Sequence, residues 1–287
     1  MKKPAVRKNP VRRKSFSKKK TSFWKGNKGS FVFGIIFTLI LFGIVNHYRN
    51  GLGYYLGFKS NKIVTQKEEK RFSDVRNFQL LSKYEEKVAG LDVSQYQGKI
   101  NWQEVHLLEN TFPIGFVFIR ATVGKDKVDS QFETNWLGAK NNKIIRGVYH
   151  YYRPNENSIE QAELFIKSVK LQKGDLPPVL DIEKLPKNQP IDSLKVGLKR
   201  WLEKVDAHYK VKHIIYTSEN YLNDFLKDEF SEYTFWIANY NFFVEDIKED
   251  WLFWQFTEKA TVSGINGNVD VSIYNGSPKM LGYLTLN

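Results

Sequence analysis

A chain of 287 residues that is 41% apolar and 15% aromatic can bury a substantial core, which excludes a wholly disordered protein. Its net charge of +13 suggests a nucleic-acid binder only until it is mapped, because twelve Lys and Arg fall between Lys2 and Lys28 and the first acidic residue is Glu68. Residues 1 to 67 hold 16 cations and no acid, so residues 68 to 287 carry a net charge of −3, and no nucleic-acid partner is expected of the folded part. The absence of cysteine excludes thiol nucleophiles and Cys-ligated zinc or iron–sulfur sites.

In chain order, the basic stretch 1 to 28 reads as a cytoplasmic tail, because an uncharged apolar run follows at once, from Gly29 to Val45. A bilayer core of ~30 Å needs about 20 helical residues. Residues 29 to 50, with His47, Tyr48 and Arg49 at the interface, supply them and predict a transmembrane signal anchor. Twelve cations before the span against Arg49 just behind it place the N-terminus in the cytoplasm and everything beyond in the periplasm or outside the cell. A cleaved signal peptide fits less well, since the basic region is long and no A-x-A-like site follows Val45. Attraction of the tail to anionic lipid headgroups accounts for its charge. Residues 51 to 88 read as a stalk ending in a short helix over 68 to 87.

From residue 89 to 287, apolar β-rich runs alternate with amphipathic ones. Strands are predicted at 90–94, 115–121, 146–151, 178–183, 213–217, 234–239, 252–256 and 269–273. Helices are predicted at 102–110, 131–141, 158–171, 192–210 and 221–227; in the fourth, Leu194, Leu198, Trp201, Leu202, Val205 and Tyr209 form one stripe behind an Asp192 cap. Strands apolar on both faces and separated by helices indicate a helix-covered parallel sheet. The expectation is a single irregular (β/α) TIM-like barrel of about eight strands and five to six helices, its later strands short of helices. An open doubly wound sheet would want a G-x-G-x-x-G after the first strand, and residues 90 to 98 offer none.

Such barrels work at the C-terminal ends of their strands. Gathered there are Asp92, Asp181, Glu183 and Asp270, with Tyr149, Tyr151, Tyr216, Asn239, Trp254 and Gln255 around them. In Val179-Leu180-Asp181-Ile182-Glu183 the period-two alternation puts both carboxyls on one face, with Cα atoms ~6.6 Å apart. Acids so crowded push one another's pKa values apart, and a carboxyl kept neutral beside an ionised one is what glycosidic cleavage requires. A D-x-E on a strand is also often only a solvated face, and the same carboxylates could bind a divalent metal. Five histidines form no H-E-x-x-H or i, i+4 pair, and neither G-x-S-x-G nor G-x-x-x-x-G-K-[ST] occurs, so no metal and no cofactor is expected. His150 reads as a hydrogen-bonded barrel residue and Trp254 as either packing or sugar-stacking.

From about Ala89 to Ile273 the chain resembles the family 25 glycoside hydrolases, the Chalaropsis-type lysozymes. The resemblance rests on Gly90-Leu91-Asp92-Val93-Ser94 with Gln97-Gly98 and Ile100-Asn101-Trp102, Phe118-Ile119-Arg120-Ala121-Thr122, Gly147-Val148-Tyr149-His150-Tyr151, the Asp-x-Glu segment, Trp236-Ile237-Ala238, Trp254-Gln255-Phe256 and Gly267-Asn268-Val269-Asp270, in that order. It implies an N-acetylmuramidase that cuts peptidoglycan between N-acetylmuramic acid and N-acetylglucosamine. Glu183 would be the acid/base, and Asp181 its assistant, either steadying the substrate's N-acetyl group as internal nucleophile or attacking directly. Asp92 and Asp270 would shape the field and bind substrate. Val123 departs from the Lys-Ala-Thr-Glu-Gly of many relatives. The family 18 chitinase pattern fails, because Leu176 and Val179 stand where it requires Asp. A non-catalytic peptidoglycan-binding module of the same fold is the alternative.

Overall fold

The computed structural model divides into two compact units, residues 1–49 and 50–287, and describes residues 28–47 and 66–287. The expected tail and most of the linker before residue 66 fall outside the described residues. In the first unit, helix α1 (Lys28–His47) forms where the apolar run predicts it, with the side chains from Val32 to Val45 exposed. Among the described residues no helix is long and apolar enough to cross a membrane.

In the second unit the first described element is α2 (Gln66–Lys83), the helix expected to end a stalk. It is docked on the barrel instead of standing free. Leu80 and Leu81 are buried in the main core, and the buried Arg76 guanidinium donates through Nη1 to the carbonyl of Phe256 at 2.6 Å and through Nη2 to that of Asn241 at 2.9 Å.

Eight strands then close a barrel: β1 (Val88–Val93), β3 (Phe112–Val123), β5 (Ile145–Tyr151), β6 (Val179–Asp181), β7 (Ile214–Ser218), β8 (Thr234–Ala238), β9 (Trp251–Ala260) and β10 (Val269–Tyr274). The short β2 (Leu107–Leu108) and β4 (Lys127–Val128) attach to β3 outside the ring. Neighbours run parallel from β1 through β3 to β9, while β10 is antiparallel to both β9 and β1. That reversal brings the start of β10, and with it Asp270, to the end of the barrel where the other strands finish.

The barrel interior is aromatic. Phe118 stacks on Trp236 with ring centroids 4.6 Å apart, and Phe253 meets Phe116 and Phe118 edge-on. Rings this large fit because the strands flanking β3 carry Gly90 and Gly147 in register with Phe116 and Phe118, where any Cβ would overlap those rings. Outside the ring, α3 (Phe132–Asn141), α4 (Ser158–Ser168) and α5 (Ile191–Tyr209) cover the strands. The predicted α5 stripe from Leu194 to Val205 is buried. Its cap differs, since Pro190 stands at that position and starts the helix early, leaving Asp192 in the first turn where its charge favours the helix dipole. The helix expected at 102–110 is one 3₁₀ turn (Trp102–Glu104) followed by β2, because the chain reverses through left-handed Glu109 and Asn110 to pair with β3. The segment at 221–227 is a short helix, α6 (Glu219–Tyr221), running into a π turn. A terminal α7 (Pro278–Leu284) goes beyond the expected elements and sets Leu281 against the interior core.

Candidate active site

At the mouth of the barrel lies a cleft of about 240 Å³ into which Asp92, Asp181, Glu183 and Asp270 all project. Backbone pairing fixes each one. Asp92 and Asp270 are directly opposed in the antiparallel β1–β10 ladder. Asp181 ends β6 between two neighbours: its carbonyl accepts from the Tyr152 amide at 2.8 Å, and the next amide, Ile182, donates to Tyr216 of β7 at 3.0 Å. The ladder thus runs one bond past the strand and holds Glu183 on the same side as Asp181, while Leu180 and Ile182 pack into the helix-facing core.

A polar network ties the floor together. Gln255 donates through Nε2 to Asp92 Oδ2 at 2.6 Å, while its Oε1 accepts from the hydroxyls of Tyr216, at 2.7 Å, and of Tyr240. Asp92 and Asp270, paired across the ladder, repel each other when both are ionised. Asp181 differs: one carboxyl oxygen, Oδ1, is buried with no hydrogen-bond partner in the protein. A buried acceptor left open in a cleft is a place for a ligand's donor.

All four acids are raised above the usual carboxylate range. Burial is the main cause at each. Repulsion adds to it, from Asp270 on Asp92 and from Glu183 and Asp92 on Asp181. Asp270 is pushed up to about 6, and Arg120 partly offsets the rise at Asp181. Such a cluster titrates as a unit and keeps protons near neutral pH. Glu183 is the most exposed of the four and its carboxyl is only partly desolvated, so it is the one placed to exchange a proton with a bound substrate and with water.

Of the residues singled out in the sequence, Tyr149, Tyr151, Tyr216 and Gln255 also line this cleft. Asn239 and Trp254 do not. Strand alternation turns Trp254 to the face opposite Gln255, where it is fully buried against Tyr84, Trp251 and Phe256 and its indole donates to the Asn239 carbonyl at 3.0 Å. Asn239 spends its side chain on Glu219 and on the Asn241 amide. His150 is buried outside the ring between Thr122 and Gln161, and burial takes its pKa down to about 3.

Sequence reasoning missed Tyr96, Tyr240 and Glu258 in the cleft wall. Glu258 escapes a period-two reading from Gln255 because β9 shifts register twice against β10, which resets the alternation. Tyr96 leans on Arg120, its ring 4.7 Å from the guanidinium, and Arg120 is held by the buried Asp129 at 2.8 Å. That ion pair spans β3 and the turn before α3, so a Tyr–Arg platform stands firm at the rim. Val123, at the end of β3, lies outside the cleft. Among the described residues no group of three or more His, Asp or Glu is arranged to hold a metal ion.

The family model for the glycosyl hydrolases of family 25 matches residues 91–265. Lysozyme M1 of Streptomyces globisporus is 33% identical over 215 residues, covering 70% of this chain and 72% of its own. The uncharacterized protein YegX of Escherichia coli (strain K12) is 36% identical over 198 residues, covering 68% and 72%. Among solved structures, a family 25 glycosyl hydrolase from Bacillus anthracis superposes with a TM-score of 0.62 at 28% identity, covering 70% of this chain and 94% of that one.

Proposed function

The chain belongs to the family 25 glycosyl hydrolases and is a glycoside hydrolase, and from that premise we propose that it is a membrane-anchored N-acetylmuramidase cutting peptidoglycan between N-acetylmuramic acid and N-acetylglucosamine. The observation that carries this reading is the four-carboxyl cleft in which Asp181 keeps an open acceptor beside the exposed Glu183. An N–H from the substrate's 2-acetamido group fits that acceptor, and its hydrogen bond favours ionised Asp181. Negative charge at Asp181 then holds the proton on Glu183. Glu183 gives that proton to the glycosidic oxygen as the C1–O bond breaks, while the acetamido oxygen, steadied by Asp181, bonds to C1. In the second half Glu183 takes a proton from water, which attacks C1 and restores the acetamido group. Tyr149, Tyr151 and the Tyr96–Arg120 platform supply faces and hydroxyls for the sugars.

The anchoring rests on α1, whose apolar side chains from Val32 to Val45 are exposed on every side, and on the basic residues before it. With the basic residues on the cytoplasmic side, the catalytic unit is proposed to be periplasmic or extracellular.

Two measurements test the reading. Digestion of purified peptidoglycan in chelator should release reducing ends that borohydride converts to muramitol; glucosaminitol, or binding with no release, would refute it. In cell fractionation the full chain should sediment with membranes and resist salt extraction, and a chain lacking residues 1 to 50 should not; equal distribution of the two would refute the anchor.

A further inference from the structure

A second pocket, of about 330 Å³, adjoins the catalytic cleft, and Tyr240 and Glu258 line both. One wall is helix α2, through Phe72, Ser73 and Arg76; the other is β9 and the loop after β8, through Phe242, Phe243 and Thr257. The helix α2 lies upstream of residues 91–265, which match the family, so this wall comes from outside the matched segment. It is also a firm one. Arg76 grips three backbone carbonyls, of Phe256, Asn241 and Val244, and its ring-facing side lies 5.7 Å from Phe242. Lys83 and Tyr84 tie the C-terminal end of the helix and the residue beyond it to Asp246 in the same loop. The loop that carries Tyr240 is therefore clamped by α2.

We propose that this pocket is an accessory glycan subsite, in which α2 and the β8–β9 loop hold a sugar of the same strand beyond those at the scissile bond; the inference rests on the muramidase reading above. Three features favour a sugar. The catalytic cleft by itself falls below the ~300–1,000 Å³ of ordinary ligand sites, and joined to its neighbour it comes within that range. Of the two shared residues, Tyr240 is an aromatic 43% exposed that can lie flat against a pyranose ring, and Phe243, 40% exposed, adds aromatic surface within the second pocket. Asn241, Thr257 and Glu258 add hydrogen-bonding groups suited to hydroxyls. A polymer threaded through the mouth has to leave the cleft somewhere, and this pocket is directly contiguous with it.

A subsite of this kind acts only on substrates long enough to reach it. The test compares full-length enzyme in detergent with Ser73→Trp, which fills the pocket from α2, and Phe243→Ala, which removes a face from the opposite wall. Each is assayed on long glycan strands stripped of peptide and on the alternating tetrasaccharide. The expected result is a loss of about tenfold in kcat/KM on long strands, chiefly through KM, with tetrasaccharide turnover within twofold of native, which also shows that the variants are folded. Equal losses on both substrates, or none on either, would overturn the subsite. A loss confined to strands that carry stem peptides would overturn it in favour of peptide recognition. Failure of the native enzyme on both substrates would instead count against the muramidase reading.

Discussion

Replacing Asp270 by Asn should stabilise the catalytic unit near neutral pH and leave it unchanged in acid. Asp270 faces Asp92 across the β1–β10 ladder, and burial first, with Glu258 and Glu183 adding repulsion, pushes its carboxyl from 3.8 up to about 6. A carboxyl whose folded pKa is raised binds more protons in the native state. Its contribution to stability is therefore fully present below the unfolded pKa and is lost as pH rises from about 4 through 6. At about 1.4 kcal/mol per pKa unit the rise corresponds to a ceiling of about 3 kcal/mol. Asp270 is only partly buried and titrates beside Asp92, so solvent screening brings the expected gain down to ~1–2 kcal/mol. Asn keeps a polar group of the same shape opposite Asp92 while removing the charge. For a unit of this size that gain is a rise of roughly 3–6 °C in Tm, measured by circular dichroism on residues 50 to 287 at pH 7.5, shrinking to nothing at pH 4. A lower Tm at pH 7.5, or the same gain at both pH values, would show that the carboxyl is not under electrostatic strain.

Other substitutions separate chemistry from scaffold. Asp181→Asn should lower kcat by ~10²–10⁴ on glycan with the folded structure intact, since its Oδ1 has no protein partner to lose; steady-state kinetics with a thermal melt would check both halves. Trp254→Ala should cost ~3–5 kcal/mol in urea unfolding because the indole is fully buried outside the cleft, yet leave KM near native at temperatures where the domain is folded. Arg120→Lys should weaken substrate binding several-fold, seen as a rise in KM, since an ammonium replaces a planar group stacked at 4.7 Å on Tyr96 and paired with Asp129. Gly147→Ala should destabilise by ~1–3 kcal/mol, because the added methyl meets the Phe118 ring; urea unfolding reads it directly.

The barrel was legible because its signals are local: strands such as β3 and β5 are continuous apolar runs, and α5 carries one unbroken stripe. All eight barrel strands fall where the pattern puts them. The misread helix at 102–110 shows the limit, since a two-residue strand that reverses through left-handed Glu109 and Asn110 has too little periodicity to announce itself. Within the site, the Asp-x-Glu spacing is visible because it obeys strand alternation. Position at a strand end gathered the rest and could not tell the inward face from the outward one, which is why Trp254 and Gln255 were grouped although only Gln255 faces the cleft. Glu258 and Tyr240 depend on a register shift and on a loop clamped by a distant helix, and neither leaves a trace in residue spacing.

Proton donation by Glu183 is tested by reducing-end release from peptidoglycan by native protein and by Glu183→Gln, in chelator and at neutral pH. The native chain should yield muramic-acid ends, and Glu183→Gln should lose ~10²–10⁴ in rate at unchanged binding to the wall. Release by Glu183→Gln at the native rate would contradict it, because the exposed carboxyl at the mouth would then not be the proton donor.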